Sequence, residues 1–343
     1  MSRRNANFED PIGLVLRMLK SKNKAAYSAL VREGVRFGAS PLDSLLRPFE
    51  RRQTKAAKPS KHPLILVIGA PRSGTTLVYQ ALAHFLDVTY PSNGSSLFLK
   101  SPITAARIQK KLVRRLKPSF ENYYGQTRRL SDCNDAFELW NRWLGEDRYA
   151  PRSELTDEQS CEMQNFFDTW MNAFDKPFLN KNNRNAFAVR VLARHLPNAK
   201  FVVVRRNPVL VAQSLIVARK RIQGSESIGW GLNSSSTVGK PDPLAYVDDV
   251  CSQIKTIDDE MDSQLIAVDG DRVINVTYEG FCNAPQHTIA EIAARFDGLE
   301  LDADSDLSQL EPFEISQKLT INRDEINRIC QRFGIAFPAA SPV

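Results

Sequence analysis

Residues Leu64 to Leu77 read Leu-Ile-Leu-Val-Ile-Gly-Ala-Pro-Arg-Ser-Gly-Thr-Thr-Leu, an apolar run followed by glycines, an arginine and hydroxyls. Those types in that order suit the holding of an anion. Leu64 to Ile68 reads as a buried strand, Gly69 and Gly74 permit a tight turn, and Ser73, Thr75 and Thr76 offer hydroxyls and N–H groups where a helix begins. Such a helix start favours negative charge through its unpaired amides and its dipole. The G-x-x-x-x-G spacing is that of a nucleoside-triphosphate loop, yet the lysine expected after the second glycine is Thr75, and the cation stands at Arg72. This argues against an ATPase or GTPase.

A second segment has matching chemistry. Lys200 to Arg205 is another apolar strand, Arg206-Asn207-Pro208 ends it, and Ser214 follows eight positions after Arg206. Asn207 is a natural N-cap and Pro208 suits the first helical position, so Arg206 and Ser214 fall at a strand end and on the helix beyond it. The first loop, P-R-S-G-T-T, resembles the 5′-phosphosulfate loop of sulfotransferases that use 3′-phosphoadenylyl sulfate. The second resembles the same family's R-(D/N)-P-x5-S site, whose Arg and Ser clamp the 3′-phosphate. That resemblance implies that Arg72, Ser73, Gly74, Thr75, Thr76, Arg206 and Ser214 bind the donor. A sulfuryl group carries less negative charge than a terminal phosphoryl group, and protein cations can offset it, so no metal is expected.

Two weaker matches accompany these. Asn180-Lys181, the helical run Ala186 to Leu196 and the turn Pro197-Asn198-Ala199 are similar to a run in tyrosylprotein and carbohydrate sulfotransferases, although Asn183 replaces a usual Pro and Leu196 a common Phe. The resemblance makes Lys181 an active-site lysine beside the transferring group; a solvated loop lysine is the alternative. Arg272 to Thr277 reads as a strand, and Tyr278-Glu279-Gly280-Phe281 resembles the family's Y-E-D-L turn. Tyr278 then reaches the 3′-phosphate region or serves as a core tyrosine.

The general base is harder to find. The glutamate that tyrosylprotein and several carbohydrate enzymes carry after the first motif falls here at Ser92 or Asn93, and the stretch Tyr90 to Ser96 holds no carboxylate. Asp132, Asp135 and Glu138 lie further on, beside Tyr123, Tyr124, Trp140 and Trp143. If 135–144 is helical, Asp135 and Glu138 share a face. Glu138, flanked by Phe137, Leu139 and Trp140, is the preferred base, Asp135 its alternate and His84 a rival. The aromatics suit a sugar or polyol acceptor, although a packed core is the preferred reading.

These residues require a scaffold that brings several strand ends together. The expectation is an α/β protein with a P-loop-like central parallel sheet flanked by helices, and a helical acceptor-binding insertion between the strands near 64 and 201. In 343 residues with 42% apolar content, one large core is expected over 63–343, preceded by a basic helical extension and linker over 1–62. The net charge of +7 is concentrated in that extension, with 14 Lys/Arg against 5 Asp/Glu, while the remainder carries 32 against 34. A spread-out nucleic-acid-binding face is thereby excluded.

Ile12, Val15, Leu16 and Leu19 form an amphipathic stripe beside Arg17, Lys20, Lys22 and Lys24. The preferred expectation is that the stripe docks on the core, with peripheral contact to an anionic membrane as the alternative. Gly34, Gly38, Pro41 and Pro48 are expected to break the chain beyond that stripe into short helical pieces, and 51–62 reads as a linker. No apolar run of membrane-spanning length and no leader pattern is present, so a cytoplasmic chain is expected. Five widely spaced cysteines read as reduced thiols, and four isolated histidines suggest no metal site. Leu244 to Ile266 has the period of a packing helix, whereas Gln223 to Pro243, with Trp230, is a candidate lid or acceptor loop. The expected function is sulfuryl transfer from 3′-phosphoadenylyl sulfate to a hydroxyl of a carbohydrate, polyol or lipid headgroup. A P-loop small-molecule kinase and a non-catalytic nucleotide-binding protein are the alternatives.

Overall fold

The computed structural model describes residues 8–113, 119–147, 150–315 and 318–336. Four strands, β1 (Leu64–Ile68), β2 (Phe178–Lys181), β3 (Ala199–Arg205) and β4 (Val273–Thr277), form one sheet in the order β2-β1-β3-β4. All three pairings are parallel. The helices in chain order are α1 (Pro11–Lys20), α2 (Lys24–Lys55), α3 (Thr75–Phe85), α4 (Pro102–Leu112), α5 (Asn141–Leu144) and α6 (Asp157–Phe174). They continue with α7 (Val189–His195), α8 (Pro208–Gln223), α9 (Ala245–Leu265), α10 (Tyr278–Asn283), α11 (Pro285–Arg295) and α12 (Arg323–Phe333).

Both faces of the sheet are covered, which explains why β1 is apolar at every position rather than at alternate ones. Leu64, Leu66, Ile68, Phe201 and Val203 face a cluster rich in aromatics, with Trp140, Trp143, Phe166, Phe167 and Trp170. Ile65, Val67, Val202 and Val204 face the side packed by Val78, Leu82, Ile289 and Ile292. Trp140 and Trp143 are fully buried, and Trp140 donates to Asn180 Oδ1 at 2.9 Å. They are core, not acceptor platforms. The expected packing helix is α9, whose Val247, Val250, Ile254, Ile257 and Met261 are buried.

Three expectations about local structure fail, each for a physical reason. The first concerns α2, which runs unbroken from Lys24 to Lys55 through Pro41 and Pro48. Its inward side is tied down at intervals: Arg32 donates to Thr127 O at 2.8 Å, Asp43 accepts from Lys100 N at 3.1 Å, and Glu50 accepts from Ile103 N and Thr104 N at 3.0 and 2.8 Å. Tertiary anchors of this kind outweigh helix propensity. The second concerns α1, which docks through Leu14 and Met18. The stripe Ile12, Val15, Leu16 and Leu19 read from the sequence is instead exposed.

The third is the segment 135–144, of which only α5 is helical. Ala136 sits in the left-handed region at φ 47°, and its N–H is taken by Asn134 Oδ1 at 2.8 Å. That turn diverts the chain between Asp135 and Glu138, so the two acids do not share a helix face.

Candidate active site

The sheet register sets the site. Val67 is paired with Lys181, Ile68 with Val203, and Arg205 with Thr277, so all four strands end at one edge. In open parallel sheets, ligands gather at the carboxyl ends of the strands. Here that edge carries the loop from Gly69 to Thr76 after β1, Lys181 closing β2, Arg206 after β3 and Tyr278 after β4. One cleft is lined by Arg72, Gly74, Thr75, Thr76, Lys181, Arg206 and Tyr278, and also by Asp135, Tyr124 and Trp230.

The loop after β1 is built around Gly74, which caps α3 at φ 95°. A Cβ placed there would stand 2.1 Å from Tyr278 Cδ2, so only glycine lets the tyrosine ring close over the loop. Gly74→Ala is expected to cost about 1–3 kcal/mol through backbone strain and this clash. That lowers the melting temperature by several degrees, and Tyr278→Ala should relieve part of the loss in a double-mutant cycle read by thermal denaturation. Arg206 stacks on the same tyrosine, its guanidinium 4.3 Å from the Tyr278 ring centroid. Burial raises the Tyr278 hydroxyl to about 12, so it stays a proton donor.

Arg72 ties the two motifs together. It lies at φ 72°, donates through Nε to Ser214 Oγ at 2.9 Å, and stands 5.0 Å from the Tyr124 ring. Asn207 caps α8 by accepting from Val209 N at 2.9 Å, as its position before Pro208 implies. Ser73 Oγ is buried with no hydrogen-bond partner among the described residues, an orphan hydroxyl inside the loop.

Lys181 is 3% exposed and donates to Asp135 Oδ2 at 2.6 Å. The Asp135 side chain is 31% accessible, through the cleft, and enclosed by protein elsewhere. Burial pushes its carboxyl above the usual aspartate range, with the Lys181 ammonium pulling the other way. Asp135 is positioned indirectly by Asn93, which accepts from Asn134 Nδ2 at 2.7 Å and is itself 1% exposed. Glu138, the preferred base of the sequence reading, stands elsewhere: it is ion-paired with Arg36 of α2 and is not among the residues lining the cleft. His84 packs edge-on against Phe85, also away from the cleft lining.

Sequence reasoning missed several lining residues, Asn183 and Arg184 among them. Asn183 accepts from Thr75 Oγ1 at 3.3 Å, and Arg184 is fully buried, donating to Leu144 O and Asp147 O at 3.0 Å each. Asn183 was visible only as a departure from a familiar pattern, and nothing local marks Arg184 as buried. Trp230 of the Gly/Ser-rich loop lines the cleft and meets Tyr124 at 5.8 Å. Its backbone carbonyl accepts from Gln253 Nε2 at 3.1 Å, which fastens that part of the loop to α9.

The sulfotransferase family model matches residues 63–303, a span holding every strand and every cleft residue just described. The chain belongs to the sulfotransferase family. Among solved structures it is similar to the sulfotransferase STF1 from Mycobacterium tuberculosis, at 15% identity and a TM-score of 0.55, covering 96% of this chain and 92% of that one. That likeness is one of fold: the α/β architecture with its all-parallel central sheet is a sulfotransferase fold. It is also similar to the sulfotransferase STF9 from Mycobacterium avium, at 13% identity and a TM-score of 0.46, covering 87% and 73% of the two chains. A sulfotransferase from Alicyclobacillus acidocaldarius matches at 15% identity and a TM-score of 0.42, covering 80% and 92%. No curated protein matches this sulfotransferase in sequence. Among its described residues no group of His, Cys, Asp and Glu could hold a metal, and no helix is long and apolar enough to cross a membrane.

Proposed function

We propose that this sulfotransferase transfers a sulfuryl group from 3′-phosphoadenylyl sulfate to a hydroxyl of a small-molecule or glycan acceptor, leaving adenosine 3′,5′-bisphosphate. The observation that carries this reading is the meeting of Arg72, Lys181, Arg206 and Asp135 on one cleft with the hydroxyls of Thr75 and Thr76. The orphan Ser73 hydroxyl is consistent with a loop built to donate to an anion.

In this mechanism the loop amides and the hydroxyls of Ser73, Thr75 and Thr76 hold the 5′-phosphosulfate, while Arg206 and Ser214 take the 3′-phosphate. Arg72 and Lys181 offset the charge that grows on the bridging oxygen as its bond to sulfur breaks. The acceptor oxygen forms the new bond to sulfur in line from the opposite side, and its proton passes to the Asp135 carboxylate. Lys181 has two roles here. Paired with Asp135 in the free protein, its ammonium is drawn to the donor's bridging oxygen and leaves the carboxylate free to accept a proton. Tyr124 and Trp230 form the apolar wall for the acceptor.

Incubation with donor labelled in its sulfuryl group, against a panel of polyols, glycans, lipids and phenols, tests the reading. Transfer of label supports it; no transfer to any acceptor, with bisphosphate still bound, leaves a nucleotide-binding protein without catalysis. Each charge-assisted hydrogen bond contributes about 1.5–3 kcal/mol, so Arg206→Ala is expected to weaken bisphosphate binding about 10- to 100-fold by calorimetry. Equal affinity for adenosine 5′-phosphate and the bisphosphate would overturn the assignment of Arg206.

A further inference from the structure

Helix α2 is built inside out. Past its first turns, where Ala25, Ala26 and Ala29 are buried, the side chains it buries are charged: Arg32, Asp43 and Glu50. Along one side it turns to solvent Val31, Val35, Leu42, Leu45 and Phe49, which are between 48% and 67% exposed. With Gly38 they recur every three or four residues, making one stripe roughly 27 Å long at a helical rise of about 1.5 Å per residue. Helix α1 likewise leaves an apolar stripe in solvent, with Ile12, Val15, Leu16 and Leu19 exposed while Leu14 and Met18 face the protein. Amphipathic helices of soluble proteins face the other way, and an apolar surface of this extent marks a contact made in the working molecule.

Charge identifies the partner. One more seven-residue step at either end of the stripe, from Val31 back to Lys24 and from Leu45 on to Arg52, meets a cation each time. If a second copy packed antiparallel along the stripe about Gly38, Lys24 of each chain would meet Arg52 of the other; packed parallel, each cation would meet its own counterpart. Both arrangements set like charges together. A single helix seam would also leave the α1 stripe uncovered. An anionic plane avoids the like-charge contact, because Lys24 and Arg52 would face lipid phosphates instead of each other. Lys20 and Lys22 at the end of α1, and Lys24 and Arg52 in line with the stripe of α2, are all exposed.

We propose that α1 and α2 dock the protein on an anionic lipid bilayer, the apolar stripes entering the headgroup boundary and the lysines and arginines engaging lipid phosphates. This docking is independent of which acceptor is sulfated. It also accounts for the concentration of the chain's positive charge in residues 1–62.

The test uses the full chain and vesicles of phosphatidylcholine with and without phosphatidylglycerol, separated by sedimentation. The protein is expected to sediment with the anionic vesicles, and to be released by high salt. Leu45→Glu with Phe49→Glu should weaken that binding at least about tenfold without lowering the melting temperature, because both side chains stand outside the fold. Failure to sediment with anionic vesicles, or binding unchanged by the double substitution, overturns the proposal. A dimer in analytical ultracentrifugation that Phe49→Glu splits, with no vesicle binding, would overturn it in favour of a second copy, for which Gly34 and Gly38, with nothing near them, would be the point of closest approach.

Discussion

Asp135→Asn is expected to lower kcat by about 10²–10⁴-fold, the usual effect of losing a general base, while leaving bisphosphate affinity unchanged. The carboxylate lines the cleft, where it is ion-paired with Lys181 at 2.6 Å. Asparagine keeps the shape but cannot accept the acceptor's proton. A base must be ionised to act, so kcat should rise with pH through the Asp135 pKa, and burial sets that limb above the ordinary aspartate range. The limb should vanish in Asp135→Asn. Lys181→Met should also reduce kcat, by removing charge from the leaving oxygen, yet keep the limb and move it to higher pH, since the ammonium holds the Asp135 pKa down. Glu138→Gln, outside the cleft lining and paired with Arg36, is expected to change kcat by less than about tenfold. Near-normal turnover and an intact pH limb in Asp135→Asn would exclude it as the base, leaving unassisted attack by the acceptor.

The two acids show where the sequence stops being informative. Both were legible as candidates, three residues apart in an aromatic-rich run, and the choice between them turned on one backbone angle. With Ala136 in the left-handed region, Asp135 turns to the cleft and Glu138 to Arg36. A helical segment would have put them side by side. No local pattern marks an alanine for that conformation, because the turn depends on Asn134, which is itself held by Asn93 from a distant segment.

The motif residues were legible for the opposite reason. A parallel strand that is buried on both faces, followed by a helix that starts on a glycine or an Asn-Pro pair, writes its boundaries in adjacent residues. Thus β1 into α3 and β3 into α8 are visible in the sequence, and the positions of Arg72, Arg206 and Ser214 follow from them. The register that brings Lys181 and Tyr278 to the same edge is a property of the pairing and needs the fold. Trp140 and Trp143 could be read as core or as acceptor platform, and only the aromatic cluster of α6 decides for core. Periodicity likewise found the amphipathic stripe of α1 but could not say which way it faced.

Asp43→Ala with Glu50→Ala is expected to destabilise the protein by several kcal/mol, although both positions look like surface acids in the sequence. Glu50 accepts from the first amides of α4 and from Thr104 Oγ1 at 2.7 Å, and Asp43 accepts from Ser101 Oγ at 2.8 Å, immediately before that helix. The two carboxylates therefore cap α4 from a different helix, and each is almost fully buried. Truncation leaves buried donors unsatisfied at about 1–3 kcal/mol each, and the dipole of α4 loses its counter-charge. The effect should also depend on pH. Burial outweighs these hydrogen bonds and raises the Glu50 pKa, so the folded state holds its proton more tightly than the unfolded state. Its contribution is then fullest below the unfolded value and declines as pH rises through the window up to the folded one. The melting-temperature gap between wild type and Glu50→Ala should accordingly be wider near about pH 4 than near about pH 7. A gap that widens with pH instead would mean that the three hydrogen bonds to the carboxylate outweigh its desolvation, and that Glu50 caps α4 as a fully ionised group.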